Sequence, residues 1–364
     1  MSVPTAANAA ESIVPPIRVL VVDDSAFMRF TITRHLSEAK GIQVIGSARD
    51  GKEALQLIPE LKPDVITLDV EMPHMDGLST LREIMSEFPV PVIMVSSLTK
   101  EGAVETIQAL TYGAVDFIQK PTNKASVSTI VDELVTKIQR ASRARVAKVS
   151  RRAVALPQQS PVQSGQQKNV RSIRRGDPLV IIGSSTGGPR ALNSLIPMLT
   201  ADIPASFVIV QHMPAGFTRS LAERLDHLSL LAVKEAEPGD IPEIGKVLLA
   251  PGGFHMVFDQ ELKVTLNQNP AVHGVRPSVD VTMNSLVQNF NGPIIGVILT
   301  GMGNDGTTGC TLIHSRGGKV LAEDESSCVV WGMPRSVVEA GVADEVVPLE
   351  KMAAAISNMV RKIT

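Results

Sequence analysis

A serine, a histidine and an aspartate each close an apolar run in the second half of this chain. Ser185 lies in the turn G-S-S-T-G-G (183–188), His212 follows V-I-V-Q, and Asp305 falls in L-T-G-M-G-N-D-G. These residue types are the nucleophile, base and orienting acid of a hydrolytic triad, and strand ends are where an α/β sheet keeps its chemistry. The turn also spells G-x-S-x-G at Gly183, Ser185 and Gly187. Small flanking residues allow a sharp turn that lifts one hydroxyl off the sheet edge, beside the N–H groups of a starting helix. Ser184 occupies an x position of that pattern and is the lesser candidate. His255, beyond two glycines in A-P-G-G-F-H, is the rival base. A phosphate-cradling turn is the competing reading of the same glycines. An α/β-hydrolase runs Ser, acid, His; here the order is Ser, His, Asp, so the turn is expected on a different sheet with convergent chemistry.

The first half carries a second constellation. Asp23 and Asp24 follow one strand-like run, Asp69 ends another, Ser96 and Ser97 a third, and Lys120-Pro121 a fourth. Clustered carboxylates repel and are costly to desolvate, so such a set is expected to hold a divalent cation. With Mg²⁺ bound, Asp69 could attack a phosphoryl donor, Lys120 could pair with the phosphoryl oxygens, and a serine hydroxyl could donate to one of them.

Alternating elements must position these groups. From Ile17 onward, strand-like runs at 18–22, 43–48, 64–68, 90–95 and 115–118 are separated by helical segments at 26–39, 51–60, 77–88 and 101–112. The pattern predicts a doubly wound parallel sheet. After Asp177 it returns, with strands at 179–182, 207–210, 247–250, 294–299, 319–322 and 345–348. Helices are expected at 190–199, 216–228, 277–291, 308–316 and 350–362, and a hairpin at 256–259 and 263–267. The fold class is therefore α/β, two doubly wound parallel-sheet domains, the second with an antiparallel hairpin. Between Glu133 and Asp177 no acid occurs while Arg and Lys recur, and 153–169 is rich in Gln, Ser, Pro and Val. The last helix of the first domain is expected to reach about Lys148. The expected plan is a disordered tail at 1–16, a first domain at 17–139, a flexible basic linker at 140–176 and a second domain at 177–364.

The 364 residues suffice for two domains, and a net charge of −2 gives no global pull toward nucleic acid or anionic membrane. Aromatics make up 3%, too few for base-stacking platforms, so the basic linker is not read as a nucleic-acid arm. Two isolated cysteines suit buried reduced thiols in a cytoplasmic protein rather than a zinc cluster or disulfide framework. No apolar run reaches the length of a membrane span, and the first residues lack a signal-peptide pattern, so neither insertion nor secretion is expected.

The motifs V-L-V-V-D-D-S, D-V-I-T-L-D-V-E-M-P-H-M-D-G, M-V-S-S and I-Q-K-P resemble a flavodoxin-like response-regulator receiver. That resemblance implies Asp69 as phosphoacceptor, and Asp23, Asp24, Asp69 and the Glu71 carbonyl as the Mg²⁺ pocket. It makes Ser96, Phe117 and Lys120 the switch residues, with a cis Lys120–Pro121 bond. The stretches G-S-S-T-G-G-P, Q-H-M-P-A-G-F-T, A-P-G-G-F-H-M, P-S-V-D and L-T-G-M-G-N-D-G resemble the Rossmann-like catalytic domain of chemotaxis protein-glutamate methylesterases. Members often carry Gly-Ala-Ser where this chain has Gly183-Ser184-Ser185. The likeness implies Ser185, His212 and Asp305 as catalytic residues, with Thr186 and the Met302 N–H as oxyanion candidates. It implies hydrolysis of glutamate γ-methyl esters on chemoreceptors, deamidation of receptor glutamines, a histidine kinase as phosphodonor, Mg²⁺ in the receiver and no cofactor for the ester reaction. A monomer is expected, with the unphosphorylated receiver covering the cleft around Ser185. The alternative is a phosphorylation-gated receptor-binding regulator without catalysis.

Overall fold

Two parallel sheets organise the chain in the computed structural model, which describes residues 15–97, 99–120, 127–146, 168, 170–174 and 176–363. The first is built from β1 (Ile17–Val22), β2 (Ile42–Ala48), β3 (Val65–Asp69), β4 (Val92–Ser96) and β5 (Asp116–Gln119), in the order β2-β1-β3-β4-β5. Its helices are α1 (Ala26–Glu38), α2 (Gly51–Leu61), α3 (Gly77–Glu87), α4 (Lys100–Tyr112) and α5 (Val127–Ala141). β3 and β4 are buried along their whole length, as a sheet covered on both faces requires, which is why they read as unbroken apolar runs. Short polar side chains start the helices. The Asp50, Asp76 and Thr99 side chains accept from the N–H groups of Glu53, Ser79 and Gly102.

The second sheet has seven parallel strands in the order β16-β15-β14-β7-β8-β11-β9. They are β7 (Leu179–Ser184), β8 (Ser206–Gln211), β9 (Ala232–Glu235), β11 (Lys246–Leu249), β14 (Ile294–Ile298), β15 (Lys319–Glu323) and β16 (Glu345–Val347). The helices between them are α6 (Gly188–Leu195), α7 (Phe217–Leu228), α8 (Val279–Asn289), α9 (Thr307–Ser315), α10 (Met333–Glu339) and α11 (Leu349–Ile363). β12 (His255–Phe258) and β13 (Val264–Asn267) form the expected antiparallel hairpin, and β6 (Arg171–Ser172) pairs antiparallel with β10 (Glu243–Ile244). The chain leaves β7 toward β8 on one side and later returns to β14 on the other. That reversal opens a crevice at the carboxyl end of β7, the position where doubly wound sheets bind ligands.

The helix expected to run to about Lys148 ends at Ala141. The next peptides tighten, with Arg143 N–H donating to the Arg140 carbonyl and Ala144 N–H to that of Ala141. The chain is then drawn onto the second domain: Arg145 N–H donates to the Val329 carbonyl, and the Arg145 guanidinium pairs with Glu325 at 2.8 Å. Contacts thus hold both ends of the basic stretch, here and at β6. Residues 1–14 of the expected tail, the Lys120–Pro121 bond and 147–167 lie outside the described residues. Cys310 and Cys328 are buried and unpaired with each other. Among the described residues, no helix is long and apolar enough to cross a membrane.

Candidate active site and phosphoacceptor site

Ser185 follows β7, His212 follows β8 and Asp305 lies beyond β14, so three adjacent strands deliver them to the crevice. The backbone fixes the first two: Ser185 N–H donates to the Thr300 carbonyl (3.1 Å) and His212 N–H to the Ser184 carbonyl (3.0 Å). His212 Nε2 meets Asp305 Oδ2 at 2.7 Å. Asp305 is itself held by the start of α8, through Ser278 Oγ (2.9 Å) and the N–H groups of Val279 (2.7 Å) and Asp280 (3.0 Å). Burial pushes its carboxyl up, but the bond and charge of His212 and these N–H groups outweigh that and hold it at about 2. A helix N-terminus suits an anion, so the fold keeps Asp305 ionised. Ser185 and His212 line one cavity of about 460 Å³ with Gln211, Met213, His273 and Arg276. No hydrogen bond joins Ser185 Oγ to His212 among the described residues. The Met302 N–H likewise donates to no described residue, as an oxyanion donor must be free to do. Thr186 is different: its hydroxyl donates to Asp116 of the first domain at 2.8 Å. His255 turns away to Pro270, with Nε2 3.2 Å from its carbonyl, and does not line the cavity.

In the first domain the acidic set converges. Ligand-capable oxygens of Asp23, Asp24 and Asp69 all lie within 4.8 Å of one another. Lys120 Nζ sits 2.6 Å from Asp69 and 3.6 Å from Asp23. Burial, then the neighbouring Asp23 charge, raises Asp69 to about 6 against the opposing pull of Lys120. Asp23 Oδ2 is buried with no hydrogen-bond partner. Three converging carboxylates, one with a buried oxygen that accepts no hydrogen bond, fit a hard divalent cation such as Mg²⁺. Glu71 follows within two residues of Asp69, and its side chain accepts from Ser97 Oγ at 2.9 Å. Ser96 is buried and donates to the carbonyls of Ser97 and Gly102, both at 3.2 Å, rather than toward Asp69.

A Cβ at Gly77 would lie 2.1 Å from the Asp69 carbonyl oxygen and 2.8 Å from Val70 Cα, both backbone atoms that cannot swing aside. Gly77→Ala is therefore expected to displace the Asp69 loop. It should lower phosphoryl incorporation by roughly tenfold or more, a loss of alignment measurable with a radiolabelled small-molecule phosphodonor.

The two sites meet across one seam. α4 packs on α6 and α7, and Phe117 packs against Phe217 with ring centroids 4.4 Å apart and the planes tilted by 44°. Ile107, Leu110 and Phe117 share one buried apolar cluster with Leu192, Leu195, Phe217 and Leu221. Asp116, which accepts from Thr186, is also bound by Lys137 Nζ at 3.1 Å, so the first domain lines the cavity that holds Ser185.

The response regulator receiver domain family matches residues 19–132, and the CheB methylesterase family matches residues 180–356. A protein-glutamate methylesterase/protein-glutamine glutaminase of Symbiobacterium thermophilum is 52% identical over 95% of this chain and 97% of its own. The chain belongs to the CheB methylesterase family. A relative of the same name from Thermotoga maritima is 46% identical over 94% of this chain and 98% of its own. The solved catalytic domain of Thermotoga maritima CheB methylesterase matches 51% of this chain and all of that one, at 47% identity and a TM-score of 0.49.

The structure brings Ser185, His212 and Asp305 to one crevice and Asp23, Asp24, Asp69 and Lys120 to a second cluster, while the Ser96 and Thr186 hydroxyls bond elsewhere. Ser278 and the α8 N-terminus on Asp305, Asp116 on Thr186, and Gln211 between Ser185 and His212 were not expected. P-S-V-D was legible as a motif, but its grip on Asp305 depends on folding. Asp116 carried no pattern that would single it out, and Gln211, the first residue of Q-H-M-P-A-G-F-T, was legible only as part of that motif.

Proposed function

We propose that Ser185, His212 and Asp305 hydrolyse glutamate γ-methyl esters on chemoreceptors and deamidate receptor glutamines, under control of phosphorylation at Asp69. The observation that carries it is the His212–Asp305 pair at 2.7 Å in the cavity that Ser185 lines, at the sheet's switch point. Asp305 occupies Nε2, which leaves Nδ1 as the nitrogen to take the Ser185 proton. Ser185 Oγ then attacks the ester carbonyl, and His212 returns the proton to methanol, or to ammonia from a glutamine. Water, activated by the same imidazole, frees the carboxylate. The Met302 N–H would stabilise the oxyanion, a contribution of about 3 kcal/mol for one such donor. Thr186 joins it only once its hydroxyl leaves Asp116.

The receiver at 17–139, the linker at 140–176 and the catalytic domain at 177–364 form the working units of this reading. In the receiver, Asp23, Asp24, Asp69 and the Glu71 carbonyl would hold Mg²⁺, which supplies charge neutralisation when bound. Lys120 waits beside Asp69 for the phosphoryl group. Ser96 and Phe117 report its arrival, and the contact of Phe117 with Phe217 ties that report to the seam. A chemotaxis histidine kinase is the phosphodonor, and the chain works as a cytoplasmic monomer. Methanol release from methylated receptor tests the reading: a small-molecule phosphodonor should speed the wild type, while Asp69→Ala should keep its basal rate and gain nothing. An equal gain in Asp69→Ala would refute the phosphorylation control.

A further inference from the structure

Gln211 ends β8, one residue before His212, and is 2% exposed. Its side-chain amide makes three hydrogen bonds, all inside the site. Nε2 donates to the Ser185 carbonyl and to the His212 carbonyl, each at 3.0 Å, and Oε1 accepts the Ser184 hydroxyl at 2.7 Å. Carbonyl oxygens only accept, so two of them on one end require the NH₂ there and fix which way the amide points. Ser184, able to donate, meets the remaining oxygen. Gly188 makes room: a Cβ there would lie 2.0 Å from Gln211 Oε1 and 2.9 Å from Ser184 Cβ.

We infer that Gln211 is a positioning residue for hydrolysis, one rigid amide that sets the spacing between the peptide carrying the nucleophile and the peptide carrying the base. The inference rests on Ser185 and His212 as nucleophile and base. Adjacent strands already share a ladder up to the Ser184–Gln211 pair, but beyond it the two chains diverge into turns. Backbone bonds hold His212 N–H to the Ser184 carbonyl and Ser185 N–H to that of Thr300, and the Gln211 amide adds the bridge between the Ser185 and His212 carbonyls. It also gives Ser184 a task, as the hydroxyl that completes the amide's hydrogen bonding without taking part in the reaction. A small error in placing reacting groups is costly: a misplacement of about 1 Å lowers rates about 100-fold.

The test measures kcat and KM for methanol release from methylated receptor, in the full chain with a phosphodonor present. Gln211→Glu keeps shape and acceptor but loses both donors. Gln211→Met keeps length without placing a charge in a buried site. Both should lower kcat about 100-fold with KM within twofold, while the melting temperature of Gln211→Met stays within a few degrees of wild type. Ser184→Ala, which leaves both Nε2 bonds, should keep kcat within threefold. A folded Gln211→Met with kcat within twofold of wild type would overturn the inference and leave the triad assignment standing. Full activity in Ser185→Ala would overturn both, because the clamp would then hold no nucleophile.

Discussion

Ser185→Ala is expected to cut kcat for methanol release by about 10⁶-fold, and Asp305→Asn by about 10⁴-fold, with KM changing far less. The losses should not add in the double variant, because the residues act as one unit. Asp305→Asn tests more than charge. The carboxylate accepts from Ser278 Oγ, two helix N–H groups and His212 at once, and an amide must turn a donor toward one of them. The expected result is a folded protein whose His212 takes the wrong tautomer. The sign of the pH effect follows from Asp305 lying at about 2, below its ordinary 3.8. A depressed carboxylate adds stability that is complete above the ordinary value and fades as pH falls through about 2. Measured against pH, kcat should therefore show no Asp305 titration above pH 4.

A fragment beginning at Asp177 is expected to release methanol roughly tenfold faster than the unphosphorylated full chain, the gain that corresponds to a docked receiver closing the site about 90% of the time under the proposed control. In the full chain, Asp116 takes the Thr186 hydroxyl, and α4 with Phe117 covers the cavity wall. Phosphodonor should move the full chain toward the fragment's rate and leave the fragment unchanged. Equal rates in all three would refute the closed arrangement.

Much of this was legible before folding, for a physical reason. Strands buried on both faces must be continuously apolar, so 179–182, 207–210 and 294–299 stood out, and the residues after them could be read as strand-end chemistry. What escaped was short or made by contact. β9 is four residues at a sheet edge, A-V-K-E, with too few positions to set a period. α10 is seven residues beginning Met333-Pro334, too short for a helical stripe to register. Thr186 was legible as an oxyanion candidate, but its bond to Asp116 spans 70 positions and exists only once the domains dock.

The seam between the domains is largely apolar, with Ile107, Leu110, Phe117, Leu192, Phe217 and Leu221 in one cluster. Burial of that kind carries a negative heat-capacity change, and its hold weakens on cooling. Under the proposed restraint by the receiver, the closed form would be less favoured on cooling, and the gap in rate between the full chain and the fragment should narrow.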